Sequence, residues 1–145
     1  MSTTANKMYL AIDYGQRRIG LAKSDPGGLI ASALETIEVK SDREALDRLA
    51  EFITEHEPSA LIIGYPLNED GSTNDACKNV DRFVEKLKSI YDGPIYKVDE
   101  YGTSEEAAGI IHAHGKRVGK KKKEKKRVDR LAAVIILQRF LDEQN

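Results

Sequence analysis

Six consecutive residues, Ala60, Leu61, Ile62, Ile63, Gly64 and Tyr65, form an unbroken apolar run. Successive side chains of a strand point to opposite faces, so a run without alternation belongs to a strand covered on both sides. That pattern asks for a central strand with helices packed above and below it. Residues 9–25 hold two more apolar runs, interrupted by Asp13, Tyr14 and Gly15. They read as a β-hairpin with one carboxylate at the end of its first strand. A strand end holds the aspartate still, and Gly15 lets the chain turn away without crowding it, which suits a metal ligand. Capping the turn is the other ordinary use of an aspartate here, and the hairpin alone leaves both open.

The remaining elements follow from periodicity. Residues 34–39 alternate imperfectly and predict a third strand. Ser41 or Asp42 then suits an N-cap, and Leu46, Leu49, Ala50 and Ile53 recur at helical spacing up to Pro58. A polar loop over residues 66–72 leads to a helix carrying Val80, Phe83, Val84 and Leu87, closed by Gly93 and Pro94. Residues 95–98 predict a short strand ending in Asp99 and Glu100. Thr103 or Ser104 caps a helix with Ala107, Ala108, Ile110 and Ile111, and a last helix spans about 128–141. Tight early turns make the first three strands antiparallel, and helical crossovers make the last two parallel with the first. The expected fold is α/β: a five-stranded mixed sheet with helices on both faces. Ligands collect at the carboxyl ends of parallel strands in such sheets, and Asp13, residues 65–70 and the Asp99–Glu100 pair would all lie there.

The 145 residues, 40% of them hydrophobic, are enough for one domain with a real core. No apolar run approaches the roughly 20 residues that cross a bilayer, and residues 1–7 are not signal-like, so a cytoplasmic protein without a membrane partner is expected. Cys77 has no second cysteine to pair with and reads as a small core residue. His56, His112 and His114 make no metal set by their spacing, and Gly27, Gly28 and the Gly64 loop read as turns rather than a phosphate cradle.

A net charge of −1 conceals an uneven distribution. Residues 116–127 contain nine basic side chains, Lys116, Arg117, Lys120, Lys121, Lys122, Lys123, Lys125, Lys126 and Arg127, against one acid, Glu124. The rest of the chain therefore carries −9. A block of like charge repels itself and predicts a mobile basic loop over 115–127. Its natural partner is a polyanion, and the twelve residues, at roughly 3.3 to 3.6 Å each, could reach about 40 Å along a nucleic acid.

Asp129 follows this block. On a helix its face is shared by Ala132, Ala133 and Ile136, so the carboxylate would lie on the side facing the sheet. Such an acid is costly to bury unless something positive meets it; the plainer reading is a first-turn acid favoured by the helix dipole. Were Asp13, Glu100 and Asp129 to converge, their charges would raise one another's pKa until cations neutralised them. Carboxylates without His or Cys suit Mg²⁺ or Mn²⁺, and two such ions about 4 Å apart could promote phosphodiester hydrolysis.

The chain resembles the YqgF family, also called RuvX, of RuvC-like nucleases. The resemblance rests on Ile12-Asp13-Tyr14-Gly15 with Arg18-Ile19-Gly20, Gly64-Tyr65-Pro66-Leu67-Asn68 with Asp70-Gly71, Asp99-Glu100, the basic segment, and Val128-Asp129-Arg130-Leu131-Ala132-Ala133. It implies a single RNase H-like nuclease domain over 1–145. It also implies either processing of the 5′ end of the small-subunit ribosomal RNA precursor or resolution of Holliday junctions, with Asp13, Glu100 and Asp129 as the catalytic, metal-binding acids. Arg17 and Arg18 would join the basic segment in holding an rRNA precursor or branched DNA, in a monomer or, for a junction cutter, a symmetric homodimer. One departure stands out: where the family usually has Asp-Glu-Arg followed by Leu, this chain has Asp99-Glu100-Tyr101-Gly102. The planar charged donor is missing, and tyrosine supplies only one hydroxyl. Asp99 and Asp70 are the alternatives for the second acidic role. Rival readings are an RNA-binding assembly factor with a vestigial acidic site, and an ATP-using relative, for which the chain lacks a second lobe.

Overall fold

The computed structural model describes residues 7–113 and 121–144. The order of elements is β1 (Tyr9–Asp13), β2 (Arg18–Ser24), β3 (Ala31–Glu38), α1 (Asp42–His56), β4 (Ala60–Tyr65), α2 (Asp75–Leu87), β5 (Ile95–Asp99), α3 (Thr103–Ala113) and α4 (Lys121–Gln144). The five strands form one sheet in the order β3-β2-β1-β4-β5. The pairs β1–β2 and β2–β3 are antiparallel, whereas β1–β4 and β4–β5 are parallel. This is the mixed topology expected from the sequence.

Alternation along the inner strands sorts the core into two halves. Leu10, Ile12, Ile19, Leu21, Leu61 and Ile63 face α1 and α2, where Leu49, Val80, Phe83 and Leu87 meet them. Ala11, Ala22, Ala60 and Ile62 face the other way, against Ala133, Ile136, Leu137, Phe140 and Leu141 of α4. Small alanines on the second face let a single helix lie close along three strands. Cys77 is buried in α2, as its lone occurrence suggested.

The helix starts are set by side chains. Ser41 Oγ accepts the Glu44 amide at 3.2 Å and Asn74 Oδ1 accepts the Cys77 amide at 2.9 Å, each satisfying an N–H that the helix itself cannot. Gly27 and Gly28 lie in the β2–β3 turn, where Gly28 takes the left-handed φ of +71° and Asp25 accepts the amides of Gly27, Leu29 and Ile30.

Two expectations need correction. β3 begins at Ala31 rather than at residue 34, because its first residues pair with Lys23 and Ser24 on the exposed side of a β-bulge, where no apolar alternation marks a strand. The larger correction concerns the basic segment: residues 121–127, expected within a mobile loop over 115–127, form the first turns of α4. Residues 114–120, with Lys116, Arg117 and Lys120, lie outside the described residues. Like charges one turn apart cost only a few tenths of a kcal/mol per pair. Two anchors outweigh that. The Thr36 hydroxyl donates to the Lys126 carbonyl at 2.6 Å, and Lys126 Nζ lies 2.8 Å from Glu38 Oε1.

Candidate active site

The face of the sheet covered by α4 also carries the acids. Asp13 lies two residues beyond Ala11 and therefore points to the same side; Glu100 lies two beyond Val98 and does likewise. Asp129 comes from α4 itself. All three stand at the carboxyl end of the parallel strands.

Two glycines make room for them. Gly20 is the partner of Asp13 across β1 and β2. A Cβ at Gly20 would stand 2.1 Å from the carbonyl oxygen of Asp129, so only glycine lets α4 settle onto β2 at this point. On the other side of Asp13, a Cβ at Gly64 of β4 would meet Ile136 Cδ1 at 2.7 Å and Glu100 Oε1 at 3.0 Å. Gly64 is thus a strand residue, not part of a turn, and its missing side chain is the space the Glu100 carboxyl occupies. Bare glycine in strand interiors is the sequence signal for such close approaches, and it was available at both positions.

The carboxyls of Asp13 and Glu100 come close enough to act on each other's ionisation. Burial first, then the charge of Glu100, then the charge of Asp129, push the Asp13 carboxyl well above the ordinary aspartate range. Glu100 is also raised, chiefly by burial. Asp129 is handled differently: Arg18 Nε donates to its Oδ2 at 2.6 Å. Arg18, expected on the nucleic-acid surface, is therefore committed to an acid of the site. A hollow over this end of the sheet is lined by Asp13, Tyr14, Gly15, Gln16, Arg17, Arg18 and Asp129. Arg17 is exposed at its rim.

Glu100, rather than either alternative, faces Asp13. Asp99 is exposed and turns back to accept the Tyr101 amide at 2.9 Å, and Asp70 is exposed in the β4–α2 loop, accepting from Ser72. The altered Tyr101-Gly102 pair closes the turn that presents Glu100. Glu100 N–H donates to the Tyr65 carbonyl at 3.1 Å, Thr103 N–H to the Glu100 carbonyl at 3.0 Å, and Gly102 supplies the left-handed φ of +75° that this turn needs. Arg139 of α4, not singled out from the sequence, bridges the same turn, donating to the carbonyls of Asp99 at 3.1 Å and Tyr101 at 3.2 Å. The Tyr101 ring is exposed. His56 stacks on Phe52, away from the acids.

The donor set fits a hard divalent cation. The mutual repulsion of Asp13 and Glu100 calls for positive charge between them, and the Arg18 guanidinium already supplies it at Asp129. As placed, no group of three or more acids, histidines or cysteines among the described residues closes around a single point.

Known proteins bear on this arrangement in two ways. A family profile described as RuvX: Holliday junction resolvase matches residues 7–143. A Dictyoglomus turgidum protein is 38% identical over 134 residues, covering 92% of each chain, and one from Chlorobium luteolum is 41% identical over 135 residues, covering 92% of this chain and 93% of its own; both are named "Putative pre-16S rRNA nuclease". Among solved structures, Thermus thermophilus RuvC in complex with a Holliday junction superposes with a TM-score of 0.57 at 16% identity over 95% of both chains. The fowlpox virus resolvase, also bound to junction DNA, gives 0.56 at 9% identity, covering 94% of this chain and 98% of that one. At these identities the structural likeness establishes the RNase H-like fold and nothing finer, whereas the profile and the relatives span almost the whole sequence. The chain belongs to the RuvX family of RNase H-like nucleases.

Proposed function

We propose that this protein is a divalent-metal-dependent endonuclease of structured nucleic acid, acting in the cytoplasm on the 5′ end of pre-16S ribosomal RNA. The observation that carries the reading is the gathering of Asp13, Glu100 and Asp129 about Gly20 and Gly64 at the carboxyl end of β1 and β5, where the Asp13 and Glu100 carboxyls are both pushed above their ordinary range. Half-buried, mutually repelling carboxylates gathered at a strand end favour a cation-binding role over a structural one. Mg²⁺ or Mn²⁺, when bound, supplies the Lewis acidity for attack of water at phosphorus and for departure of the alkoxide. Asp13, Glu100 and Asp129 would hold it, with Asp129 released from Arg18. Arg18 then becomes free to meet the incoming phosphate, and Arg17 stands at the rim to bind the neighbouring backbone. The names of relatives at 35–41% identity favour ribosomal RNA as the substrate over branched DNA.

The test is incubation with Mg²⁺ or Mn²⁺ of a 5′-extended pre-16S fragment and, in parallel, a four-way DNA junction, with product ends mapped. Cutting of the RNA that disappears in Asp13→Asn, Glu100→Gln and Asp129→Asn is the expected result. Cutting of neither substrate, or cutting that persists in both aspartate variants, would overturn the proposal. The Asp129–Arg18 pair favours one alternative, an RNA-binding assembly factor with a vestigial acidic site; it predicts salt-sensitive RNA binding without turnover.

A further inference from the structure

Most cations near the carboxyl end of the sheet are spent. Arg18 is paired with Asp129, Lys86 with Asp42, Lys97 with Asp81 and Lys126 with Glu38. Lys40 and Arg82 are different. Both are exposed, and neither side chain closes an ion pair among the described residues; Arg82 bonds the Asn79 amide oxygen and acts on Asp42 only at longer range.

These two side chains line a second hollow with Gln16, Ser41 and Asn79. Tyr14 and Gln16 line both this hollow and the one over Asp13, so the two are neighbours across the β1–β2 turn. Their common floor is rigid. The Tyr14 ring stacks on Phe83 with centroids 4.3 Å apart, and its hydroxyl donates to Asp42 Oδ1 at 2.7 Å. Asp42, the one acid in the second hollow, is met by Lys86 Nζ at 2.9 Å from its other oxygen and, at longer range, by the Arg82 charge. The two hollows therefore set the clustered carboxylates beside two exposed cations without ion pairs among the described residues, flanked by the amide side chains of Gln16 and Asn79.

We propose that the hollow of Gln16, Lys40, Asn79 and Arg82 is a phosphate-binding subsite for the nucleic-acid strand whose cleaved phosphate lies at Asp13. This rests on the nuclease reading for the position of the cut, but not for the binding itself. A strand entering here passes over the β1–β2 turn, on the opposite side of the acids from α4. The subsite therefore supplies a grip apart from residues 121–127 at the start of α4.

The experiment is fluorescence anisotropy in EDTA with two labelled probes, the 5′-extended pre-16S fragment and the four-way junction, across a salt titration. Lys40→Ala/Arg82→Ala should weaken binding about tenfold or more and flatten the slope of log K against log salt by about 1.5, two phosphates' worth. Lys40→Arg/Arg82→Lys, which keeps both charges, should stay within about threefold, separating loss of charge from loss of fold. Unchanged affinity and slope in the alanine variant overturns the subsite, as does failure of the unaltered protein to bind either probe. Weakened binding in a protein that cuts neither probe with added metal refutes the nuclease reading and leaves the subsite standing.

Discussion

Replacing Gly20 by alanine tests the close approach on which the site is built. The added Cβ would stand 2.1 Å from the Asp129 carbonyl oxygen and 2.5 Å from its carbonyl carbon. Both are backbone atoms of a helix and cannot rotate aside. Ordinary contact begins at 3.4 Å, so α4 must retreat by about 1 Å, and a gap of that size forfeits roughly a quarter to a half of each dispersion contact. The contacts at stake are those of Ala133, Ile136 and Leu137, all wholly buried against the sheet. Adding the usual overpacking cost of about 1–3 kcal/mol gives an expected loss of about 3 kcal/mol. For a domain of this size that lowers Tm by roughly 6–12 °C. The same retreat parts Arg18 Nε from Asp129 Oδ2, now 2.6 Å apart, and carries Asp129 away from Asp13. Thermal and urea melts read the stability, with Gly109→Ala as the control: nothing lies within 4 Å of its Cβ in α3, so alanine there should gain about 0.5–1 kcal/mol. A Gly20→Ala protein melting within about 2 °C of the unaltered one would refute the reasoning, since α4 would then not be pressed against β2.

Asp13→Asn should stabilise the metal-free protein in a pH-dependent way. The folded-state pKa of Asp13 is raised, so between the ordinary aspartate value near 3.8 and that raised value the folded state binds more protons than the unfolded one, and stability falls as pH rises. Asparagine removes this loss, so melts in EDTA should show a gain at pH 7 that vanishes toward pH 4; a gain independent of pH would contradict the raised Asp13 pKa. Arg139→Ala deletes the two donors that bridge Asp99 and Tyr101, so about 1–2 kcal/mol should be lost, with faster hydrogen exchange at the Thr103 amide. Unaltered exchange at Thr103 would show that α4 does not hold the turn. Asn74→Ala removes the α2 cap together with the Asn74 bonds to Pro66 and Asn68, and urea melts should register a loss of about 1–2 kcal/mol. A loss no larger than that of a surface substitution would mean that water replaces the cap.

Strand order and the two-sided core were legible because they rest on local patterns. The unbroken run at Ala60–Tyr65 and the paired runs about Asp13 declare their burial residue by residue. What escaped the sequence depends on partners far along the chain. Arg18 reads as a surface cation until Asp129, 111 positions away, is placed against it. The first turns of α4 look self-repelling because their anchors, Thr36 and Glu38, belong to β3. Arg139 carries no local mark of its bridge to the Glu100 turn. Gly20 and Gly64 lay in plain sight inside apolar runs, but what fills the space each leaves open is decided only by the packing of α4 and the turn after β5.

The span between Arg18 and Asp129 has a consequence for biosynthesis. A ribosome making this chain completes the whole sheet before it reaches α4, so during that interval the alanine-lined face is uncovered and the acid pair Asp13–Glu100 stands without Asp129. Arrival of the helix shields the core and delivers the third carboxylate in one docking event. Under the proposed function, a partly made chain could not injure the ribosomal RNA of the particle synthesising it.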